Sequence, residues 1–437
     1  MEKKQQKLLN SSLRNIRNAM LLLVCGILAG YVFLMLAYLL PTDRMQSKVS
    51  ASAEIFARER EYPRVIPGYV STQLDNYTDS WMVGNAVYGD SAEPVWKQAL
   101  TCTRAEYGEG PLDGLLRYLA GEDGFREEDY TRYWHGYLVV LKPFFLFFDY
   151  ADLRFVNVVL ELMLMMCVFA QLSGMGYRKE AWGYVVAVLF IMPVVVPLSI
   201  QFSIIFYVTH IAAIVLLKRY HQIMGRKRML LFFQLIGMTA SFFDLLTYPV
   251  ASLGVPLVCL LILEHDREFW HKIKNIISLS ISWGFGYGAM WAGKWILSTV
   301  ILQDNVILNA LEQISMRSSH VQDGERITMI DTWLRNVEFY FEKPYLVLIT
   351  VCVLIALAGI ARNRKQFRSM MADVIPLLIV AAIPFAWYAF AGQHSYEHHW
   401  FTYRALITSV FACMCIWARL LQNSGEQDLP HQNGGCP

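Results

Sequence analysis

Residues 19–40 read AMLLLVCGILAGYVFLMLAYLL and contain no charged side chain. An α-helix needs about 20 such residues to cross the hydrocarbon core of a bilayer. Lys3, Lys4, Lys7, Arg14 and Arg17 precede the run. That order resembles a secretion signal, but a signal core holds only about 7–15 apolar residues, and no small-x-small cleavage site follows here. The run reads as an uncleaved signal anchor.

Comparable runs recur at roughly 153–173, 182–199, 202–217, 229–247, 249–263, 276–301, 345–361, 371–391 and 401–421. They predict an all-α membrane protein with about ten transmembrane helices, within a range of nine to eleven. A further run at 137–148 is short and contains Lys142 and Pro143, which suits a re-entrant or interfacial segment better than a span. Composition agrees: 55% of the 437 residues are hydrophobic and 17% charged, against about 25% charged in soluble domains. The net charge of +2 provides no field for nucleic acid. Six of the eight cysteines lie in apolar runs and Cys102 alone lies in a long polar loop, so no disulfide framework or zinc spacing is present.

Positive charge falls on alternate connections: the N-terminus, 178–179, 218–228, 267–274 and 362–368. The intervening connections at 197–201, 247–249 and 393–400 carry no Lys or Arg. By the positive-inside rule, both termini are cytoplasmic in a multi-pass plasma-membrane protein. The expected organisation is a basic N-terminus (1–18), a polytopic domain (19–421) and a polar cytoplasmic tail (422–437). Two large outer loops, 41–134 and 303–343, interrupt the domain. The first contains a helix start at SAEP (91–94) and the helically spaced PLDGLLRYL (111–119), which could lie on the membrane surface.

Unexplained charge collects on the outer side. Asp43 follows the first span, and Asp75 and Asp79 lie in LDNYTDSWM. A carboxylate there can serve as a general base or hold a divalent cation such as Mg or Mn. A spacing of four would stack Asp75 and Asp79 on one helical face; the plainer reading is a solvated acidic loop. Lys294, Asp244 and Arg154 lie near outer ends of spans, where charge is costly and tends to mark a cavity. Lys294 could instead snorkel, and Asp244 could cap a helix. Glu161 and His210 lie deeper. The tightest cluster is QHSYEHHWFTYR (393–404). Its His394 and His398 are spaced for one helix face, a weak metal signal, and Arg404 can clamp a phosphate. The alternative is an interfacial aromatic belt. Gly284, Gly286 and Gly288 lie inside a span and read as close helix packing, not a nucleotide loop.

This layout resembles the GT-C class of integral-membrane glycosyltransferases in architecture, over about residues 15–421. The resemblance implies a sugar transferred from a polyprenyl-phosphate-linked donor to an envelope glycan, lipid or protein acceptor. Asp75 or Asp79 would be the base or cation ligand, and Arg404 and Lys294 the phosphate holders. The class often carries adjacent acids soon after its first span, whereas here Asp43 is followed by Arg44. That departure leaves the catalytic acid unassigned among Asp43, Asp75 and Asp79. His394, His398, Asp244 and Arg154 complete the candidate binding set, and the metal requirement stays open. A polysaccharide polymerase or ligase, and a transporter of a lipid-linked or small polar substrate, are the competing expectations.

Overall fold

The computed structural model describes residues 2–89, 92–322, 324–362 and 367–420. The expected tail at 422–437 lies outside them. The described residues are predominantly α-helical, and short antiparallel ribbons pair Arg104–Glu106 with Arg126–Glu128 and Val321–Gln322 with Glu325–Arg326. Among the described residues, five helical stretches are long and apolar enough to cross a membrane: Leu13–Tyr38, Tyr150–Gly174, Ile200–Ile223, Met371–Phe390 and His399–Arg419.

The other expected segments are helical as well, but shorter or more polar. Arg178–Leu189 and Ala251–Leu263 have 12 and 13 residues. Phe269–Leu302 has 34, and its Gly, Ser, Trp and Tyr content lowers its hydropathy. Leu138–Phe145, from the 137–148 run, has 8 residues and rises only about 12 Å, well short of a bilayer.

Packing explains these lengths. Ala251–Leu263 is buried on every side, as expected of a helix that is apolar all round. Arg226–Phe243 and Phe269–Leu302 meet backbone to backbone. A Cβ at Gly237 would sit 2.1 Å from the Trp283 carbonyl oxygen, and one at Gly286 would sit 2.1 Å from that of Gln234. Only glycine fits either position, which explains the central glycine of the 284–288 motif.

The described residues between 41 and 134 form a cap over one end of the bundle. The helices Thr42–Ser50, Ala53–Glu59, Asn76–Val87 and Pro111–Leu119 bury Met45, Val49, Phe56, Met82, Val83, Leu112 and Leu115 in a common core with Leu138, Leu141 and Phe145. Pro111–Leu119 therefore turns its apolar face into the cap instead of onto a membrane surface. Two buried lysines fasten the cap. Lys142 Nζ donates to the carbonyl of Ala86, in the last turn of Asn76–Val87, at 2.9 Å. Lys294 Nζ donates to that of Leu100, in the last turn of Val95–Thr101, at 2.7 Å. A helix C-terminus presents unpaired carbonyls and a partial negative charge, so an ammonium suits it.

Candidate functional site

Asp75 and Asp79 do not share a helical face. Asp75 is the N-cap of Asn76–Val87, with φ −124° and ψ 68°, and its Oδ1 accepts the Thr78 N–H at 2.9 Å. Asp79 is one turn into the helix and points at a different element. Its carboxylate accepts from Tyr150 Oη (2.7 Å), Ser199 Oγ (2.9 Å), Ile200 N (2.9 Å) and Gln201 N (3.1 Å). It thereby caps the N-terminus of Ile200–Ile223 from another part of the chain. Four donors fill the acceptor capacity of a carboxylate, so Asp79 is occupied as a structural joint.

Other candidates are also held by protein groups. Arg154 makes a two-point ion pair with Glu59, both contacts at 2.8 Å, and donates to Asn76 Oδ1 at 3.1 Å. Lys294 is fully buried on Leu100, 5.7 Å from the Trp134 ring centre. Asp244 accepts from the Thr247 backbone at 2.9 Å and from its hydroxyl, the local turn that the capping alternative anticipated. Asp43 is exposed in the first turn of Thr42–Ser50, where negative charge is favoured.

Arg404 is fully enclosed. It donates to the Trp400 carbonyl (2.8 Å) and the Ser71 carbonyl (3.4 Å), with its guanidinium 4.1 Å from the Phe202 ring centre. Ser71 in turn donates through its N–H and its hydroxyl to Glu342. Ser71 lies four residues before Asp75, a stretch of at most about 14 Å of extended chain, so Asp75 and Arg404 share one end of the bundle.

A second arginine, which the sequence reading did not single out, has a freer geometry. Arg317 closes the Val306–Arg317 helix, and its one hydrogen bond among the described residues is from Nη1 to His394 Nδ1, at 2.9 Å. Because arginine can only donate, His394 Nδ1 is the acceptor and its Nε2–H donates to the Leu246 carbonyl at 2.7 Å. Burial and the adjacent His398 and Arg317 hold the His394 imidazole well below its usual pKa, so it stays neutral. The His398 ring centre lies 4.7 Å away. Burial, with Arg317 beside it, lowers the His398 pKa to about 3, and its Nδ1 has no partner. Arg317 forms no ion pair among the described residues. Its charge faces Tyr133, Tyr130 and Glu397.

Around this group runs a chain of aromatic rings. Trp400 meets Tyr62 (5.6 Å between centroids), then come Tyr77 (5.8 Å), Trp81 (5.2 Å), Tyr130 (5.6 Å), Tyr133 (5.3 Å), Trp291 (5.1 Å) and Tyr287 (5.8 Å). The rings come from the cap, from Phe269–Leu302 and from the 393–404 cluster. Trp81 Nε1, Trp291 Nε1, Trp400 Nε1 and Tyr287 Oη are buried without a hydrogen-bond partner. Buried indole N–H and phenol O–H groups ordinarily find one.

Asp75 belongs to this neighbourhood. Its charge acts on Tyr62, the second ring of the chain, as does that of Glu397. Burial raises the Asp75 carboxyl to about 7, against the lowering effect of the Thr78 hydrogen bond. Burial also raises Asp79, which its donors and Arg154 counter. Among the described residues, no group of three or more His, Cys, Asp or Glu side chains is placed to hold a metal. Both nitrogens of His394 are engaged, and its Nδ1 positions Arg317.

The structure thus brings Asp75, Asp244, His394 and His398 to the aromatic chain, with Arg404 close by. It places Asp79, Arg154, Lys294 and Asp43 elsewhere in or under the cap. No known family, curated protein or solved structure matches the chain.

Proposed function

We propose that the protein is a membrane-embedded glycosyltransferase that moves a sugar from a polyprenyl-phosphate-linked donor to a glycan, lipid or protein acceptor at the cap end of the bundle. The observation that carries this reading is the aromatic chain with its four unpartnered donors. A pyranose has an apolar C–H face that suits an aromatic ring and a rim of hydroxyls that suits indole N–H and phenol O–H groups. In this reading the shorter helical segments also cross the bilayer. About ten spans then place the cap on the outer face of the plasma membrane and both termini in the cytoplasm, a GT-C-like arrangement.

Each polar residue then has a task. A carboxyl that titrates near 7 can accept a proton at neutral pH. Asp75 takes the acceptor hydroxyl proton as the acceptor oxygen bonds to the anomeric carbon. The bond from that carbon to the phosphate oxygen breaks, and the phosphate leaves with the electron pair. Arg317 supplies the positive charge opposite it, and His394 holds the guanidinium in place. Arg317 takes the phosphate role in preference to Arg404 and Lys294, whose Nη and Nζ groups are bonded to protein carbonyls.

Mass spectrometry of lipid-linked sugars provides the test, in cells lacking the gene and complemented with wild type or Asp75→Asn. A lipid-linked sugar should accumulate in the deletion, disappear with wild type and persist with Asp75→Asn. An Asp75→Asn strain indistinguishable from wild type would reject the assignment of the base. A deletion with unchanged lipid-linked sugars would reject transfer altogether. One observation favours a transporter as the second reading: Glu161 Oε1 and His210 Nε2 are buried without partners inside Tyr150–Gly174 and Ile200–Ile223. That reading predicts substrate flux in sealed vesicles with no new glycosidic bond.

A further inference from the structure

The helix Met329–Val337 is built inside out. Its Thr332 and Asn336 are fully buried, while Ile330 and Leu334 are each 61% exposed. The inward face is hydrogen-bonded to the protein. Asn336 Nδ2 donates to the Ser395 carbonyl at 2.9 Å, and Thr402 Oγ1 donates to Asn336 Oδ1 at 2.6 Å. Trp333 Nε1 donates to the Phe385 carbonyl at 3.0 Å. Arg335 donates to His399 Nδ1 at 3.2 Å, with its guanidinium 4.2 Å from the Tyr396 ring centre.

A helix at a water-facing surface has the opposite polarity, with apolar residues inward and polar residues outward. The cap follows that ordinary rule, since Pro111–Leu119 turns its leucines inward. In Met329–Val337 the inversion has company. Asp331 is drawn into a capping box with Thr328 at the helix start. The apolar outer face continues through exposed Phe341 into Val347, Val351 and Leu354 of Lys343–Arg362, a strongly apolar helix.

We infer that Met329–Val337 lies in the interfacial layer of the bilayer, with Ile330, Leu334 and Phe341 set into the acyl-chain boundary. The occupant of this face is bilayer lipid. Continuity with the outward face of Lys343–Arg362 favours lipid over a second protein. The helix is then a side wall between the bilayer and the 392–402 segment that carries His394. This placement stands whether or not the chain transfers sugar.

Site-specific photo-crosslinking tests it in the full chain, in native membranes. The photoreactive residue p-benzoyl-phenylalanine replaces Ile330 or Leu334, with Val347 as the lipid-facing control and Glu325, exposed on its ribbon, as the aqueous control. Mass spectrometry should find phospholipid adducts at 330 and 334 comparable to those at 347, and none at 325. Lipid adducts at 347 but not at 330 or 334 would overturn the proposal. So would adducts at 330 and 334 to a second copy of the chain or to another protein. Using two positions one helical turn apart keeps the result readable if one variant fails to fold.

Discussion

Asp75 and Asp79 stand one turn apart in the chain and in opposite circumstances. Around Asp79, every acceptor site faces a protein donor: two side-chain hydroxyls and two backbone N–H groups. Around Asp75, Arg317 and the aromatic chain, buried donors are left over. A carboxylate whose acceptor sites are all filled by the protein holds a fold together. Buried donors without a protein partner call for one beyond the protein's own groups. Burial by itself does not separate the two, since both carboxylates are almost fully buried.

The sharpest way to break this contrast is to change each acid to its amide. Asp75→Asn should lower transfer at least about 100-fold, the low end for losing a general base. Its thermal unfolding in detergent should not fall. Burial raises the folded-state pKa of Asp75 above its unfolded value, so the wild-type fold loses stability as pH rises from about 4 to about 7. The amide removes that loss. Asp79→Asn should instead cost roughly 3 kcal/mol of stability, because an amide group would face donors that now bind a carboxylate. Thermal unfolding and monodispersity report that loss, and an unaffected Asp79→Asn protein would cancel the distinction.

Smaller effects sharpen it. Arg317→Ala should raise the donor KM about tenfold or more, the scale of one charge-assisted contact. His394→Gln should follow it in the same direction, and more weakly. The rate of transfer should rise with pH through a midpoint near 7 as Asp75 ionises. A flat profile from pH 5 to 9 would show that another group sets the rate. Trp291→Phe keeps the ring and removes one unpartnered N–H, so its cost should be about threefold to tenfold in kcat/KM. No change there would mean that this donor meets no substrate.

Much of the architecture was legible because lipid imposes a simple rule on sequence. Apolar runs marked the long helices of the bundle, whereas polar cap helices such as Thr42–Ser50 and Asn76–Val87 left no such mark. Segments such as 182–199 and 249–263 were harder to read, because a helix buried among others no longer needs bilayer length. The site was legible only in part. The cluster at 393–404 stood out by composition, but its histidine spacing suggested a metal when His394 in fact accepts from Arg317. Lys294 looked stranded because its partner, Leu100, lies 194 residues earlier. Nothing local distinguished Arg317, whose importance depends on the absence of a carboxylate partner. The pairing of Asp75 with Asp79 misled because a spacing of four implies a shared face only when both residues are inside the helix, and Asp75 is the cap.

The fastenings of the cap also set a timetable for biosynthesis. The Asp79 joint needs Ser199, Ile200 and Gln201, about 120 residues later in the chain. The Leu100 carbonyl waits for Lys294, and Ser71 waits for Arg404, which is 333 residues downstream. During synthesis the cap segment therefore leaves the ribosome long before the residues that lock it down. The latches close in chain order, and a truncated product that stops before Arg404 would keep the Lys142, Lys294 and Asp79 fastenings and lack only the one at Ser71.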